Sequence, residues 1–167
     1  MIIYEEVRRD FQKEKVKYAV VGGIAVNLLG SLRSTADLDI IAGMTDENLA
    51  KVVKILKKRG YSTKQPLNPA KIADKQTREN WINIKHMKAF NFYKGKGLEE
   101  IDLIIDSPVS YEKAKRSIQY FRAGSITIPV VSVDNLIRMK EKTGRMIDKL
   151  DIEELKKIKK LRERKNV

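Results

Sequence analysis

The stretch that decides the fold is VVGGIAVNLLGSLRSTADLDII, residues 20–41. A β-branched apolar run ends on Gly22 and Gly23, a short helix-like segment follows, and then Asp37 and Asp39 interrupt a second apolar run. Successive residues of a strand face opposite sides, so in ADLDIIA the two aspartates share a side, about 6.5–7 Å apart at the backbone. Two carboxylates on one face repel each other, and burying them unpaired is costly. One reading places a cation between them, with magnesium or manganese favoured because hard divalent ions take oxygen ligands. The other leaves them solvated at a strand end or paired with lysines. The pair alone leaves both open.

Two further features narrow the choice. Asp102 lies in EEIDLIID, flanked by Ile101, Leu103 and Ile104, and so reads as a third acid in a strand. Beside the first strand it would complete a three-carboxylate site able to hold two divalent ions about 3.5–4 Å apart, an arrangement suited to in-line phosphoryl or nucleotidyl transfer. Asp106 shares the alternation of Asp102 but lies nearer the loop, which makes it a weaker member. The Gly22-Gly23 pair falls where a strand turns into a helix, and exposed N–H groups at such a turn bind phosphate oxygens. A tight turn alone would also explain the glycines. Neither GxGxxG nor GxxxxGK[ST] is present.

Outward from this stretch, residues 2–15 read as an amphipathic helix with Ile3, Val7 and Phe11 on one face, and residues 16–22 as a buried strand. GIAVNLLGS reads as a helix stopped by Gly30, and residues 36–42 as a strand. Thr45 caps a helix through Arg59, broken at Gly60. Pro66 and Pro69 mark a loop, and residues 74–85 are expected to be helical. KAFNFYK and EEIDLIID read as strands joined by KGKG. A short helix follows Pro108. ITIPVVSV is a strand ending where Ser132 to Asp134 cap a helix to about Lys142. A last helix, from about Met146 to Arg164, places Ile147, Leu150, Leu155, Ile158 and Leu161 on its apolar side. The expected architecture is α/β, a mixed sheet with flanking helices and C-terminal helices, with residues 1–167 one domain and 133–167 its helical portion.

Composition sets the outer bounds. With no cysteine there is no disulfide framework and no thiolate ligand or nucleophile. Apolar runs are too short to span a bilayer, and no basic start precedes an apolar core, so neither membrane nor signal peptide is expected and a cytoplasmic location follows by default. The formal charge is +13, and between Lys51 and Lys96 thirteen basic residues face only Asp74 and Glu79. Such an excess suits polyanionic partners, nucleoside triphosphates or nucleic acid, and equally describes a lysine-rich solvated surface. The lone His86 reads as packing or surface, and Trp81, Phe90, Phe92 and Tyr93 as core rather than a base-stacking platform.

GGIAVNLLGSLRSTADLDII resembles the signature of the DNA polymerase β-type nucleotidyltransferase superfamily, in its small prokaryotic branch of minimal and abortive-infection toxin-like enzymes. The branch carries a glycine turn, a helix, an Arg-x-Thr-x-Asp-x-Asp segment and a later carboxylate. Here these map to Gly22 and Gly23, then Arg33, Thr35, Asp37 and Asp39, then Asp102. Gly30-Ser31 is too close to Asp37 to be the turn. RMKEKTGRMIDKLDIEEL resembles the same branch through Lys140, Arg145, Asp148 and Asp151, while residues 61–98 match no part of it.

The resemblance implies a nucleotidyltransferase-type sheet and transfer of a nucleoside monophosphate from an NTP to an acceptor, with release of pyrophosphate. It implies two magnesium or manganese ions on Asp37, Asp39 and Asp102, with Asp102 at the acceptor hydroxyl as, or orienting, the general base. Gly22 and Gly23 would cradle phosphates. Arg33 and Thr35 would lie beside the metal strand in the nucleotide site, with Arg33 contacting phosphate or forming a structural ion pair. Lys140 and Arg145 would reach the triphosphate, or Arg145 would pair with Asp148 or Asp151. The acceptor is open among RNA, protein and small molecule, and a homodimer or antitoxin-type partner is compatible. The alternative is a non-catalytic nucleotide- or RNA-binding module, or a toxin–antitoxin component, on the same fold.

Overall fold

The computed structural model describes residues 4–96 and 98–165. Helix α1 (Glu5–Lys13) buries Val7 and Phe11, as the amphipathic spacing requires; Ile3 and Gly97 lie outside the described residues. Strand β1 (Tyr18–Val21) is buried at every position and runs straight into α2 (Gly22–Leu29), which ends on Gly30. Strand β2 (Leu38–Ala42) follows, then α3 (Asp46–Lys58), whose N-cap Thr45 accepts from the Asn48 N–H.

Strands β4 (Ala89–Lys94) and β5 (Glu99–Ile104) form the expected hairpin, and α4 (Lys75–Asn83) precedes them. Two strands were not legible in the sequence: β3 (Ser62–Thr63), only two residues long, and β6 (Gln119–Ala123). A 3-10 turn at Pro69–Ala73 replaces part of the expected loop, started by Pro at a position where its missing N–H costs nothing. The short helix α5 (Tyr111–Ala114), β7 (Ile126–Val130), α6 (Val133–Thr143) and α7 (Met146–Lys165) complete the chain.

The described strands form one seven-stranded mixed sheet in the order β3-β4-β5-β2-β1-β7-β6. At its centre β1 and β2 are antiparallel, while β2 runs parallel to β5 and β1 parallel to β7. Central strands buried on both faces read as near-continuous apolar runs, which explains YAVV and the LDIIA segment apart from its aspartate. Helix α2 packs on β1, β2 and α7, and α1 packs on α3 and β7. Trp81 stacks on Phe90 at 5.3 Å between ring centroids, so these aromatics are core, and His86 is exposed.

Helix α7 corrects one expectation. Its inward positions are Asp148, 1% exposed, Asp151, 5% exposed, and Leu155, whereas Leu150 and Leu161 are 53% and 57% exposed and Ile147 lies at the surface. Buried cations on the facing elements outweigh the apolar stripe, because a buried charge without a partner costs more than a few leucines left in water.

Candidate active site

The glycine turn is built around close contacts. Gly22 opens α2 with φ at 66°, and a Cβ there would lie 1.9 Å from Asp39 Oδ2. Only a residue without a side chain allows the turn and the carboxylate to touch. A Cβ on Gly23 would meet Thr35 Oγ1 at 2.6 Å, so Thr35 fills the space that the second glycine leaves. No side chain caps the first turn of α2, whose N-cap is Val21.

Parallel pairing of β2 with β5 places Asp39 opposite Asp102, and antiparallel pairing of β1 with β2 places Asp39 opposite Val21, the residue before the turn. The sheet therefore makes one locus of Gly22, Asp39 and Asp102. Asp37 stands one residue before β2 and is exposed. Its neighbourhood is tied down by Tyr4, whose hydroxyl donates to the Ala36 carbonyl at 2.7 Å and accepts from the Glu100 N–H at 3.0 Å.

Burial pushes the Asp39 carboxyl up to about 7, with the charges of Asp102 and Asp37 adding to the effect and Lys140 and Arg145 opposing it. Burial likewise raises Asp102, against the hydrogen bond it accepts from Asn91, while Asp37 and Glu100 push it further up. Among the described residues no ion pair reaches Asp37, Asp39 or Asp102. Nor, among the described residues, are three or more acidic, histidine or cysteine side chains grouped closely enough to hold a metal ion by themselves. The donor set is thus two paired strand carboxylates and a third at the strand entrance, uncompensated and of the hard oxygen type that suits magnesium or manganese. Phosphate oxygens of a nucleotide would be needed to complete the shell.

The opposite rim is cationic and is held by α7. Lys140 is buried and donates to Asp151 at 2.6 Å and to Asp148 at 3.3 Å. Arg33 donates to the same Asp151 oxygen at 2.6 Å, and Asn27 clamps the Arg33 backbone with bonds of 2.7 and 2.9 Å. Arg145 and Thr143 donate to Asp148 at 2.8 and 2.6 Å. Burial alone would raise Asp148, but the bonds from Arg145 and Thr143 and the charge of Lys140 hold it at about 2.

Between these halves lies a cleft of about 640 Å³, lined by Gly22, Asp39, Asp102, Lys140, Arg145 and Asp148, with apolar walls at Val21, Leu136 and Met139. Gly23, Arg33, Thr35 and Asp37 are not part of its lining. Of the catalytic and nucleotide-binding residues expected from the sequence, the structure brings Gly22, Asp39, Asp102, Lys140 and Arg145 to the cleft and sets Arg33 into an ion pair with Asp151. Asp106 lines the cleft but is paired with Lys88. Sequence reasoning missed Asn91 and Tyr4, which carry no spacing signal, and took Asp148 and Asp151 as motif positions and possible partners of Arg145, not of Lys140 and Arg33.

Among the described residues no helix is long and apolar enough to cross a membrane. The sequence model of the aminoglycoside-2''-adenylyltransferase family matches residues 4–158. No curated protein matches the chain. Among solved structures, the lincosamide antibiotic adenylyltransferase LnuA with lincomycin bound is similar, with a TM-score of 0.58 at 18% identity, covering 89% of this chain and 90% of that one. A putative nucleotidyltransferase from Thermotoga maritima gives 0.57 at 15% identity, covering 97% and 89%. ANT(2'')-Ia in complex with adenylyl-2''-tobramycin gives 0.55 at 12% identity, covering 94% and 91%. At such identities the structural likeness speaks to the fold, and the sequence match speaks to descent. The chain belongs to the aminoglycoside-2''-adenylyltransferase family and is a nucleotidyltransferase.

Proposed function

We propose that the protein transfers the AMP moiety of ATP to a hydroxyl of a small-molecule acceptor, using divalent ions held by Asp37, Asp39 and Asp102. The observation that carries this reading is the pairing of Asp39 with Asp102 directly beside the Gly22 turn, at the wall of a cleft with a cationic opposite rim. The acceptor oxygen forms a bond to the α-phosphorus, and the bond from that phosphorus to the bridging oxygen breaks. Pyrophosphate leaves with the electron pair, and the hydroxyl proton passes to Asp102. Magnesium or manganese, when bound, neutralises the phosphates and lowers the acceptor hydroxyl pKa. The uncapped N–H groups at Gly22 and Gly23 bind phosphate oxygens, and Arg145 and Lys140 supply positive charge facing them. Arg33 and Thr35 act behind this surface, Arg33 by holding Asp151 and Thr35 by packing on Gly23.

Small-molecule acceptors follow from the family's description and from the titles of its structural neighbours, which concern antibiotics. Here two nearby acids are already paired, Glu100, beside Asp102 on its face of β5, with Lys64 at 2.7 Å, and Asp106, just past the end of β5, with Lys88. That pairing favours a neutral polyhydroxyl acceptor over a polycationic one. Because the site draws on β1, β2, β5, α6 and α7 together, residues 1–167 are read as one functional domain.

Calorimetry with ATP, GTP, CTP and UTP, with and without magnesium, tests the reading. Metal-dependent binding of ATP is expected in the wild type and its loss in Asp37→Ala and Asp39→Ala. A wild type that binds no nucleotide, or variants that bind unchanged, would overturn it. Transfer of label from α-labelled ATP to lincosamides, aminoglycosides and neutral sugars then identifies the acceptor.

A further inference from the structure

Asp102 is held by an amide relay that starts at the edge of the sheet. Beyond β3 the pairing with β4 continues, since the Lys64 N–H donates to the Asn91 carbonyl at 3.0 Å, and this lays Gln65 alongside Asn91. The Asn91 backbone N–H donates to Gln65 Oε1 at 3.1 Å. A backbone N–H only donates, so Oε1 must face β4 and Nε2 is left as the donor. Gln65 Nε2 donates to Asn91 Oδ1, and more weakly to the Ala89 carbonyl at 3.4 Å. With Oδ1 engaged as an acceptor, the group that Asn91 turns towards Asp102 is Nδ2, which donates to Asp102 Oδ1 at 2.7 Å.

Amide oxygen and nitrogen are nearly the same size, and only the network decides which way each amide points. Here every orientation descends from a single backbone N–H. We propose that Gln65 and Asn91 are positioning residues for Asp102: the relay fixes one carboxylate oxygen and leaves the other to face the metal and the acceptor hydroxyl. The inference rests on the reading of Asp102 as the group at the acceptor. It gives a role to Gln65, in a Pro-flanked segment that matches no motif.

The decisive variant is Gln65→Glu. It keeps the side chain's size and the acceptor for the Asn91 N–H, but replaces the donor with an oxygen. The Asn91 amide must then turn and present Oδ1 to Asp102. With pyrophosphate release from MgATP as the assay, kcat is expected to fall about ten- to a hundredfold, the range of a hydrogen bond to a charged group, with KM for ATP within about twofold. Asn91→Asp, which removes the donor at constant shape, is expected to do the same, and decides the matter if Gln65→Glu does not fold. Asn91→Ala combined with Gln65→Glu is expected to fall no further than Asn91→Ala alone.

A second readout needs neither metal nor activity: the side-chain NH2 resonances of Asn91, in chelator, should move in Gln65→Glu. Unchanged kcat in a folded variant, a rise in KM in place of the fall in kcat, or unmoved Asn91 resonances would each overturn the relay. If the wild type transfers nothing while the resonances move, it is the transfer reading that fails and not the relay.

Discussion

Asp39 concentrates the physics of the site in one residue. It is flanked by the Gly22 turn, by Asp102 and by the charge of Asp37, and burial sets its carboxyl at about 7. The ordinary value for an unfolded chain is about 4, so between these two limits the native state binds more protons than the unfolded state. Stability is therefore fully present below about pH 4 and is lost as pH rises through 7. In chelator, the wild type is expected to lose on the order of 2–4 kcal/mol across that window, and Asp39→Asn to flatten the loss and exceed the wild type in stability at pH 8. Urea unfolding at several pH values measures both. Gly22→Ala tests the same contact from the other side: a Cβ 1.9 Å from Asp39 Oδ2, on a backbone with φ at 66°, is expected to cost about 1–3 kcal/mol and to abolish ATP binding. Gly22, Asp39 and Asp102 were legible in the sequence because polar residues in an apolar strand, and glycines at its end, stand out against a pattern. Asn91 was not. An amide on a half-buried strand breaks no pattern, and its meaning depends on a register that only pairing reveals.

At the scale of elements, long segments with caps were legible and short ones were not. Thr45 with its acidic first turn marked α3, while β3 has two residues and β6 alternates only weakly at the sheet edge. Helix α7 shows how a periodic pattern misleads. Its leucines and isoleucines suggested an apolar face, yet Asp148 and Asp151 turn inward to Lys140, Arg33 and Arg145. Spacing does not report charges on other elements. Asp151→Ala is expected to destabilise by about 3–5 kcal/mol, because it takes the acid from Arg33 and leaves buried Lys140 with only its longer bond to Asp148, whereas Leu150→Gln should change stability by less than about 0.5 kcal/mol. Denaturant midpoints of the two variants compare these directly; a reversed order would mean that α7 packs by its apolar face after all. Asp148, held at about 2 against an unfolded value near 4, adds stability that is present above the latter and is lost as pH falls through the former.

At the scale of the molecule, the basic excess of residues 51–96 takes on a different meaning in three dimensions. Arg59 pairs with Asp10, Arg78 with Asp46, Lys64 with Glu100 and Lys88 with Asp106, so the segment is stitched to acids elsewhere in the chain. Such pairing was invisible in a local charge count. At the cleft Lys140 and Arg145 are paired with Asp148 and Asp151, while Asp39 and Asp102 across from them have no ion pair among the described residues. On the proposed reading, a metal-bound triphosphate is the ligand that would neutralise these two carboxylates. Binding only the native state, MgATP at a hundred times its Kd adds about 2.7 kcal/mol of stability. For a chain of this size that corresponds to a rise in Tm of about 5–10 °C. The rise should be larger at pH 8 than at pH 6, since Asp39 must lose its proton before it can hold an ion, and it should vanish in Asp39→Ala. Differential scanning calorimetry with MgATP, magnesium alone and ATP in chelator separates the contributions; an equal shift in Asp39→Ala would place the nucleotide somewhere other than this cleft.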